Sequence, residues 1–181
     1  MGAPDLKIDL DFTSLAAIPA VRPENVIRPD TEIGSARVAN GSFIAYARAG
    51  TPRDAHPEAP VIVVEDDEDT RRLIERVIRI ANLPVRTAAD SREFVQLLQK
   101  VRLPRLVLLD IELPRVSGFK ILQLLRQQPQ TAAVPVVMIS AHAEPKYIQQ
   151  AIALGADGYL SKPAKVSTLR EMLAKVLHRA P

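Results

Sequence analysis

Acidic side chains follow two of the apolar segments in this sequence. Asp110 closes the apolar run 106–109, while Glu65, Asp66 and Asp67 follow the apolar run 61–64. Apolar runs this short predict strands buried on both faces of a sheet, so the residue that ends each run emerges at the edge of the sheet. Carboxylates that lie close together disfavour each other's ionised form unless a cation lies between them. The acids therefore indicate a cation site.

Two further segments end in groups that can hold a phosphate. Ser140 follows the run 134–139, and Lys162 follows the segment 158–161, just before Pro163. A lysine at such a place can pair with a carboxylate or with phosphate as a point charge. In an open parallel sheet these strand ends meet in one crevice, where such folds place their chemistry. The sequence thus predicts a site that holds a divalent metal and a phosphoryl group.

Mg²⁺ is the metal that suits these side chains. It prefers oxygen ligands, keeps several waters and accepts a substrate phosphate. The chain has no cysteine, and its histidines at positions 56, 142 and 178 are too scattered to indicate zinc. Simpler roles stay open for individual residues: a helix cap for Asp67 and Ser140, a surface lysine for Lys162, and a half-buried strand aromatic for Tyr159.

Strand-like and helix-like periods alternate regularly from residue 61 onward. Strands are predicted at about 61–65, 84–88, 105–110, 134–139 and 158–161. Helices are predicted at about 68–81, 91–101, 117–128, 145–154 and 166–178. Five consecutive βα units predict a doubly wound α/β domain, with a five-stranded parallel sheet and right-handed crossovers.

Residues 1–59 differ in composition from the rest of the chain. We predict an N-terminal arm with a Pro-rich linker over 1–59 and the α/β domain over 60–181, since 51–60 has the composition of a linker. Residues 36–46 carry a hairpin signal, because Asn40-Gly41 accepts the positive φ of a tight turn. A lone hairpin is marginal in water. The arm is therefore expected either to stay mostly flexible or to dock or exchange this element.

Composition and charge exclude several functional classes. The net charge is 24 − 21 = +3 and no basic run concentrates it, so direct nucleic-acid binding is not expected. Without cysteine, disulfides and thiolate metal sites are excluded. No segment approaches the roughly 20 apolar residues of a membrane span, and the first residues do not have the pattern of a secretory signal. We expect a cytoplasmic protein without a membrane contact.

From about residue 61 to 179 the chain resembles the response-regulator receiver domain of two-component signalling. The matching stretches are 61–67, 106–114 with 117–118, 138–141 and 155–163. The resemblance implies a CheY-like, flavodoxin-like fold and a phosphorelay function. Asp110 would be the phosphoacceptor and would receive its phosphoryl group from a sensor histidine kinase or a histidine phosphotransfer protein. Such a domain is not an enzyme beyond its own phosphorylation and dephosphorylation.

The resemblance also assigns roles around Asp110. Glu65 and Asp66 would bind Mg²⁺ together with Asp110 and the main-chain carbonyl of Glu112. Ser140 and Lys162 would hold the phosphoryl oxygens, Tyr159 would be the aromatic switch, and the bond before Pro163 would be cis. In the family the positions of Glu112 and His142 border the approach of water, so these two residues are expected to tune the lifetime of the phosphorylated state.

Three functions remain open on the sequence. The first is a phosphoacceptor whose output is a protein contact, by which it either relays to a histidine phosphotransfer protein or gates an unidentified target. A homodimer through the domain's fourth helix, fifth strand and fifth helix is a further expected contact. The second is a receiver that signals through its own N-terminal arm, by docking or dimer exchange. The third is a haloacid-dehalogenase-type phosphatase, although its Asp-x-Asp motif would here end in Glu112 and the acidic pair precedes the nucleophile strand.

Overall fold

The computed structural model describes residues 58–101 and 103–177, together with the backbone of Phe43–Ala45. The strands are β1 (Phe43–Ala45), β2 (Val61–Val64), β3 (Val85–Ala88), β4 (Leu106–Asp110), β5 (Val136–Ser140) and β6 (Gly158–Ser161). The helices are α1 (Glu68–Ile80), α2 (Ser91–Lys100), α3 (Gly118–Gln127), α4 (Pro145–Ala153) and α5 (Val166–Leu177). All strands and helices predicted beyond residue 60 are confirmed, with ends that differ by two residues at most.

The strands form one sheet in the order β1-β6-β5-β4-β2-β3. Strands β2 to β6 are parallel to one another, which confirms the predicted doubly wound α/β fold with a five-stranded parallel sheet. The first of these strands lies in the interior of the sheet, with β3 on one side and β4 on the other. The carboxyl ends of β2, β4, β5 and β6 therefore lie side by side along one edge.

A sixth strand, which falls within the predicted hairpin segment 36–46, extends the sheet. Strand β1 pairs antiparallel with β6, with Phe43 opposite Leu160, Ile44 opposite Tyr159 and Ala45 opposite Gly158. The other half of the predicted hairpin, residues 37–39, lies outside the described residues. Of the two expectations for the arm, the paired β1 corresponds to docking, because the open edge of β6 offers backbone groups with which another segment can pair.

Helices cover both faces of the sheet and create two apolar layers. Apolar residues of α1 and α5 pack on one face, while α2, α3 and α4 cover the other. Every residue of β2, β4, β5 and β6 is buried, and apart from the polar last residues of β4, β5 and β6 these strands do not alternate between apolar and polar positions. Burial of each Val, Leu or Ile side chain contributes about 1.5–3 kcal/mol to the stability of the folded state. This core fixes the strands that carry the polar side chains.

The turn after β2 sets the position of the first acids. Asp67 caps α1, because its side chain accepts a hydrogen bond of 2.7 Å from the Thr70 amide. That hydrogen bond lowers the pKa of Asp67, which is an exposed group. The helix therefore begins directly after the strand and leaves Glu65 and Asp66 in the connecting turn. Within the described ranges, no helix is both long and apolar enough to cross a membrane.

Candidate functional site

Lys162 joins two carboxylates at the carboxyl edge of the sheet. Its Nζ atom lies 2.8 Å from Oδ2 of Asp110 and 2.8 Å from the carboxylate of Glu65. Glu65 follows β2, Asp110 ends β4 and Lys162 follows β6. The two carboxylates are almost completely buried, with exposed fractions of 0% for Glu65 and 1% for Asp110. Three separate strand ends thus meet in one ionic cluster, as the sequence pattern predicts.

Burial and charge act against each other in this cluster. Burial, with a further contribution from Asp110, raises the pKa of Glu65 to about 7, although Lys162 acts in the opposite direction. Burial also opposes the charge of Lys162, but the hydrogen bonds to Asp110 and Glu65 outweigh it and raise the lysine pKa. Two buried carboxylates share one cation, so the cluster has an excess of negative charge when both are ionised.

The carboxylates of Glu65, Asp66 and Asp110 fit a divalent cation. One oxygen from each of the three lies within 4.8 Å of the other two. The hydrogen bond from Lys162 is made to Oε1 of Glu65, and the buried Oε2 makes an ion pair with the same ammonium group at 2.8 Å without a hydrogen bond of its own. Buried carboxylates beside an exposed one are a suitable Mg²⁺ ligand set, because Mg²⁺ binds one or two carboxylates and keeps its waters.

Two residues that the prediction did not single out hold the backbone of the site. Arg71, on α1, donates hydrogen bonds of 2.7 Å and 3.0 Å to the carbonyls of Glu65 and Asp66. Gly118, the first residue of α3, packs directly on the backbone of Asp110. A Cβ atom at position 118 would lie 2.9 Å from the carbonyl carbon of Asp110 and far inside van der Waals distance of its oxygen.

Ser140 and Tyr159 are connected through the main chain of His142. The Ser140 Oγ accepts a hydrogen bond of 3.0 Å from the His142 amide, and the Tyr159 hydroxyl donates one of 2.6 Å to the His142 carbonyl. Tyr159 is fully buried, and this burial raises its pKa. The ring thus already lies inside in this conformation, and the role of Tyr159 as the aromatic switch stays a prediction.

Glu112 and His142 lie together at the rim of the site. The Nε2 atom of His142 is 3.3 Å from the Glu112 carboxylate, and its Nδ1 atom is 3.6 Å from Glu144. The His142 ring stacks on Tyr147, with 4.1 Å between ring centroids. The amide of Glu112 also donates a hydrogen bond of 3.2 Å to Oδ1 of Asp110. A partly exposed pair therefore borders the buried carboxylate.

The residues predicted from sequence occupy different positions in this arrangement. Glu65, Asp66, Asp110 and Lys162 form the ionic cluster, while Ser140 ends β5, the strand next to β4. The Glu112 carboxylate is not among the three grouped carboxylates and contacts His142, while its main-chain carbonyl stays a predicted ligand. The Lys162–Pro163 bond is cis, the form that the resemblance implies. Asp67 acts as a helix cap instead of a ligand.

The raised pKa of Glu65 predicts a pH dependence of Mg²⁺ binding. A cation competes with the proton on Glu65, so Mg²⁺ should raise the unfolding temperature more at about pH 8 than at about pH 6. In the absence of Mg²⁺ the stability of the protein has the opposite pH dependence. The pKa of Glu65 is higher in the folded state than in the unfolded state, so the contribution of Glu65 to stability falls as the pH rises from about 4.5 through about 7. Asp110, Asp66 and Lys162 are the other charged groups facing Glu65.

Thermal unfolding with and without Mg²⁺ measures this effect. Glu65→Gln should remove most of the pH dependence, whereas Glu68→Gln, which changes an exposed carboxylate on α1, should leave it intact. An Mg²⁺-induced rise in unfolding temperature that is as large at about pH 6 as at about pH 8 would contradict the prediction.

Comparisons with known proteins agree with this geometry. The family profile described as the response regulator receiver domain matches residues 61–174. The chain is 35% identical over 125 residues to protein RcaC of Microchaete diplosiphon, covering 68% of this chain and 19% of RcaC. It is 35% identical over 120 residues to the phosphate regulon transcriptional regulatory protein PhoB of Rhizobium meliloti, covering 66% of this chain and 52% of PhoB.

Solved structures show the same architecture. Chemotaxis protein CheY4 of Vibrio cholerae superposes with a TM-score of 0.62 and 33% sequence identity, covering 66% of this chain and 98% of CheY4. The match to RcaC and PhoB spans only 19% and 52% of those proteins. The similarity therefore concerns the α/β domain, and the remaining parts of those relatives have no counterpart in the match.

Proposed function

Since this chain belongs to the response regulator receiver domain family, we propose that it accepts a phosphoryl group on Asp110 and signals by protein–protein contact. The donor is a sensor histidine kinase or a histidine phosphotransfer protein. The observation that supports this proposal is the position of Asp110, whose buried carboxylate lies 2.8 Å from Lys162 and beside Glu65 and Asp66.

The geometry supports a simple transfer step. A carboxylate oxygen of Asp110 attacks phosphorus, forming an acyl phosphate P–O bond while the P–N bond of the donor phosphohistidine breaks. Lys162 then exchanges its contact with the carboxylate for one with a phosphoryl oxygen. The Ser140 hydroxyl accepts a hydrogen bond from the His142 amide before the transfer, and it then turns and donates a hydrogen bond to another phosphoryl oxygen. Both groups stabilise the charge spread over the equatorial oxygens.

Glu65, Asp66 and Asp110 would hold the Mg²⁺, with the Glu112 carbonyl as a further ligand. When bound, Mg²⁺ reduces the repulsion between the carboxylates and the incoming phosphoryl group. Oε2 of Glu65 is buried and accepts no hydrogen bond, although it lies 2.8 Å from the Lys162 ammonium, so the cation would add a second positive charge beside this carboxylate.

Intact mass spectrometry after incubation with acetyl phosphate tests the proposal. With Mg²⁺ the protein should gain one phosphoryl group, and the adduct should be removed by hydroxylamine, as expected for an acyl phosphate. EDTA present throughout the incubation should prevent the gain. A folded protein that binds Mg²⁺ yet gains no phosphoryl group under rapid mixing would contradict the proposal.

A second candidate is signalling through the N-terminal arm, by docking or dimer exchange. It is favoured by the pairing of β1 with β6, which brings part of the arm onto the domain. The phosphatase alternative loses its support, because the family profile is that of a receiver domain and the Glu112 carboxylate lies outside the cluster of grouped acids.

Glu112 and His142 should set the lifetime of the phosphorylated state. Their side chains contact each other at the rim of the site, and in the resembled family these two positions border the approach of water. Glu112→Ala and His142→Ala are each expected to change the dephosphorylation rate by about threefold or more, and the double variant should deviate from additivity because the two residues share a contact. Single-turnover loss of phosphate measures these rates.

Glu171→Ala is the matched control for the lifetime experiment, because it removes an exposed carboxylate from an ion pair on α5, away from the site. It should dephosphorylate at the wild-type rate. Unchanged dephosphorylation rates in both Glu112→Ala and His142→Ala would contradict the proposal that these residues set the lifetime of the phosphorylated state.

A further inference from the structure

We propose that the edge of β6 is a strand-docking surface, that its occupant is Phe43–Ala45 of the same chain, and that phosphorylation of Asp110 loosens this docking. This inference rests on the proposed function and adds the structural change by which phosphorylation would be signalled. Three consecutive residues of β1 pair antiparallel with residues 158–160. Without β1, β6 would be the outermost strand on this side of the sheet. Its backbone N–H and C=O groups would then be open to another strand.

The length of chain between β1 and β2 allows the same chain to supply the strand. Residues 46–60 connect the two strands, and 15 residues can span at most roughly 50 Å. In the sheet β1 lies four strand positions from β2, a distance of roughly 19 Å. The connection is therefore ample, and a tethered strand competes with free partners at a high effective concentration. These lengths favour docking within one molecule over exchange between two.

A short path of hydrogen bonds connects the docked strand to the phosphorylation site. Ile44 lies opposite Tyr159, the middle residue of the paired segment. The Tyr159 hydroxyl is bound to the His142 carbonyl, and the His142 amide is bound to the Ser140 Oγ. When the Ser140 hydroxyl turns to a phosphoryl oxygen, the His142 amide loses its acceptor. The loop that holds the Tyr159 hydroxyl can then shift.

The docked strand is also easy to displace. It contributes only three residues to the sheet, whereas β4 and β5 contribute five each. Short elements with few paired backbone groups open at low free energy, so a small change at Tyr159 is enough to alter their population. The edge of β6, flanked by α5, is thereby exposed to an extended segment of a target protein only after phosphorylation.

A cysteine pair reports this docking directly, because the chain has no native cysteine. Ala45 lies opposite Gly158, and residues directly opposite in an antiparallel pair have Cα atoms about 4.5–5.5 Å apart, within the range for a disulfide. The Ala45→Cys/Gly158→Cys variant should form a disulfide within one chain under mild oxidation. Acetyl phosphate with Mg²⁺ should slow its formation by about fivefold or more.

Two control variants accompany the measurement. Adding Asp110→Asn to the cysteine pair should make the oxidation rate insensitive to acetyl phosphate. Ala45→Cys alone should give only slow linkage between chains. The mass of the same samples reports whether Asp110 is phosphorylated.

Each of the other outcomes contradicts one identifiable step of the proposal. A disulfide that joins two chains would show that a second copy of the protein occupies the surface. If the folded variant forms no disulfide at all, the pairing of β1 with β6 would be contradicted. An unchanged rate in protein that carries the phosphoryl adduct would show that docking is independent of phosphorylation, with the proposed function intact. Absence of the adduct itself would instead overturn the proposed function and this inference with it.

Discussion

The Asp110→Asn variant is expected to gain no phosphoryl group from acetyl phosphate under conditions in which the wild type gains one. An amide is far less nucleophilic than a carboxylate, and it also removes one of the three grouped oxygen ligands. The variant should nevertheless fold. The variant keeps the ion pair between Glu65 and Lys162, whose charges cancel, and it removes the repulsion between the carboxylates of Glu65 and Asp110.

The matched control for this experiment is Asp69→Asn, which makes the same change at an exposed position in the first turn of α1. It should be phosphorylated like the wild type. Intact mass gives the stoichiometry, and thermal unfolding shows that both variants are folded. A phosphoryl adduct of wild-type stoichiometry on folded Asp110→Asn would place the acceptor on another residue.

The Gly118→Ala variant is expected to lose about 3 kcal/mol or more of stability and most of its phosphorylation. The added methyl group would overlap the main chain of Asp110 and come within 3.1 Å of the Ile111 Cα atom. Neither contact is with a flexible side chain, so the backbone that carries the phosphoacceptor must move. Overpacking usually costs about 1–3 kcal/mol, and contacts with main-chain atoms belong at the upper end of that range or beyond it.

Ser117→Ala provides the neighbouring control. Ser117 is exposed, and its side chain makes no capping hydrogen bond to α3, so its loss should change stability by about 0.5 kcal/mol or less. Chemical denaturation measures both free energies of unfolding. A Gly118→Ala protein as stable and as readily phosphorylated as Ser117→Ala would show that the close approach of α3 to β4 is not required.

Much of the fold follows from local sequence patterns. Strand β4 is apolar at every position up to Asp110, and this pattern alone indicates a strand buried on both faces. The order of strand ends then predicts that Glu65, Asp110 and Lys162 converge. Helix α1 is equally legible, because Asp67 supplies a cap and the buried positions Ile74, Val77 and Ile78 follow at helical spacing.

Other features depend on contacts between distant parts of the chain. The pairing of Phe43–Ala45 with β6 could not be read locally, because an Asn-Gly turn predicts a partner within the hairpin and not the edge of a distant sheet. The inward position of Tyr159 likewise depends on the loop after β5. Gly118 was visible in the sequence, but the reason for a glycine is the backbone of Asp110 beneath it.

The ionic cluster has a consequence for how the protein is made. Lys162 is 97 residues from Glu65 and 52 from Asp110 along the chain. During synthesis the two acids therefore leave the ribosome well before the lysine that pairs with them. A nascent chain that ends before β6 carries two neighbouring carboxylates without their cation, and burying them is unfavourable. If Asp110 is the phosphoacceptor as proposed, a chain that ends before β6 would lack the lysine that holds the phosphoryl group and should be phosphorylated poorly.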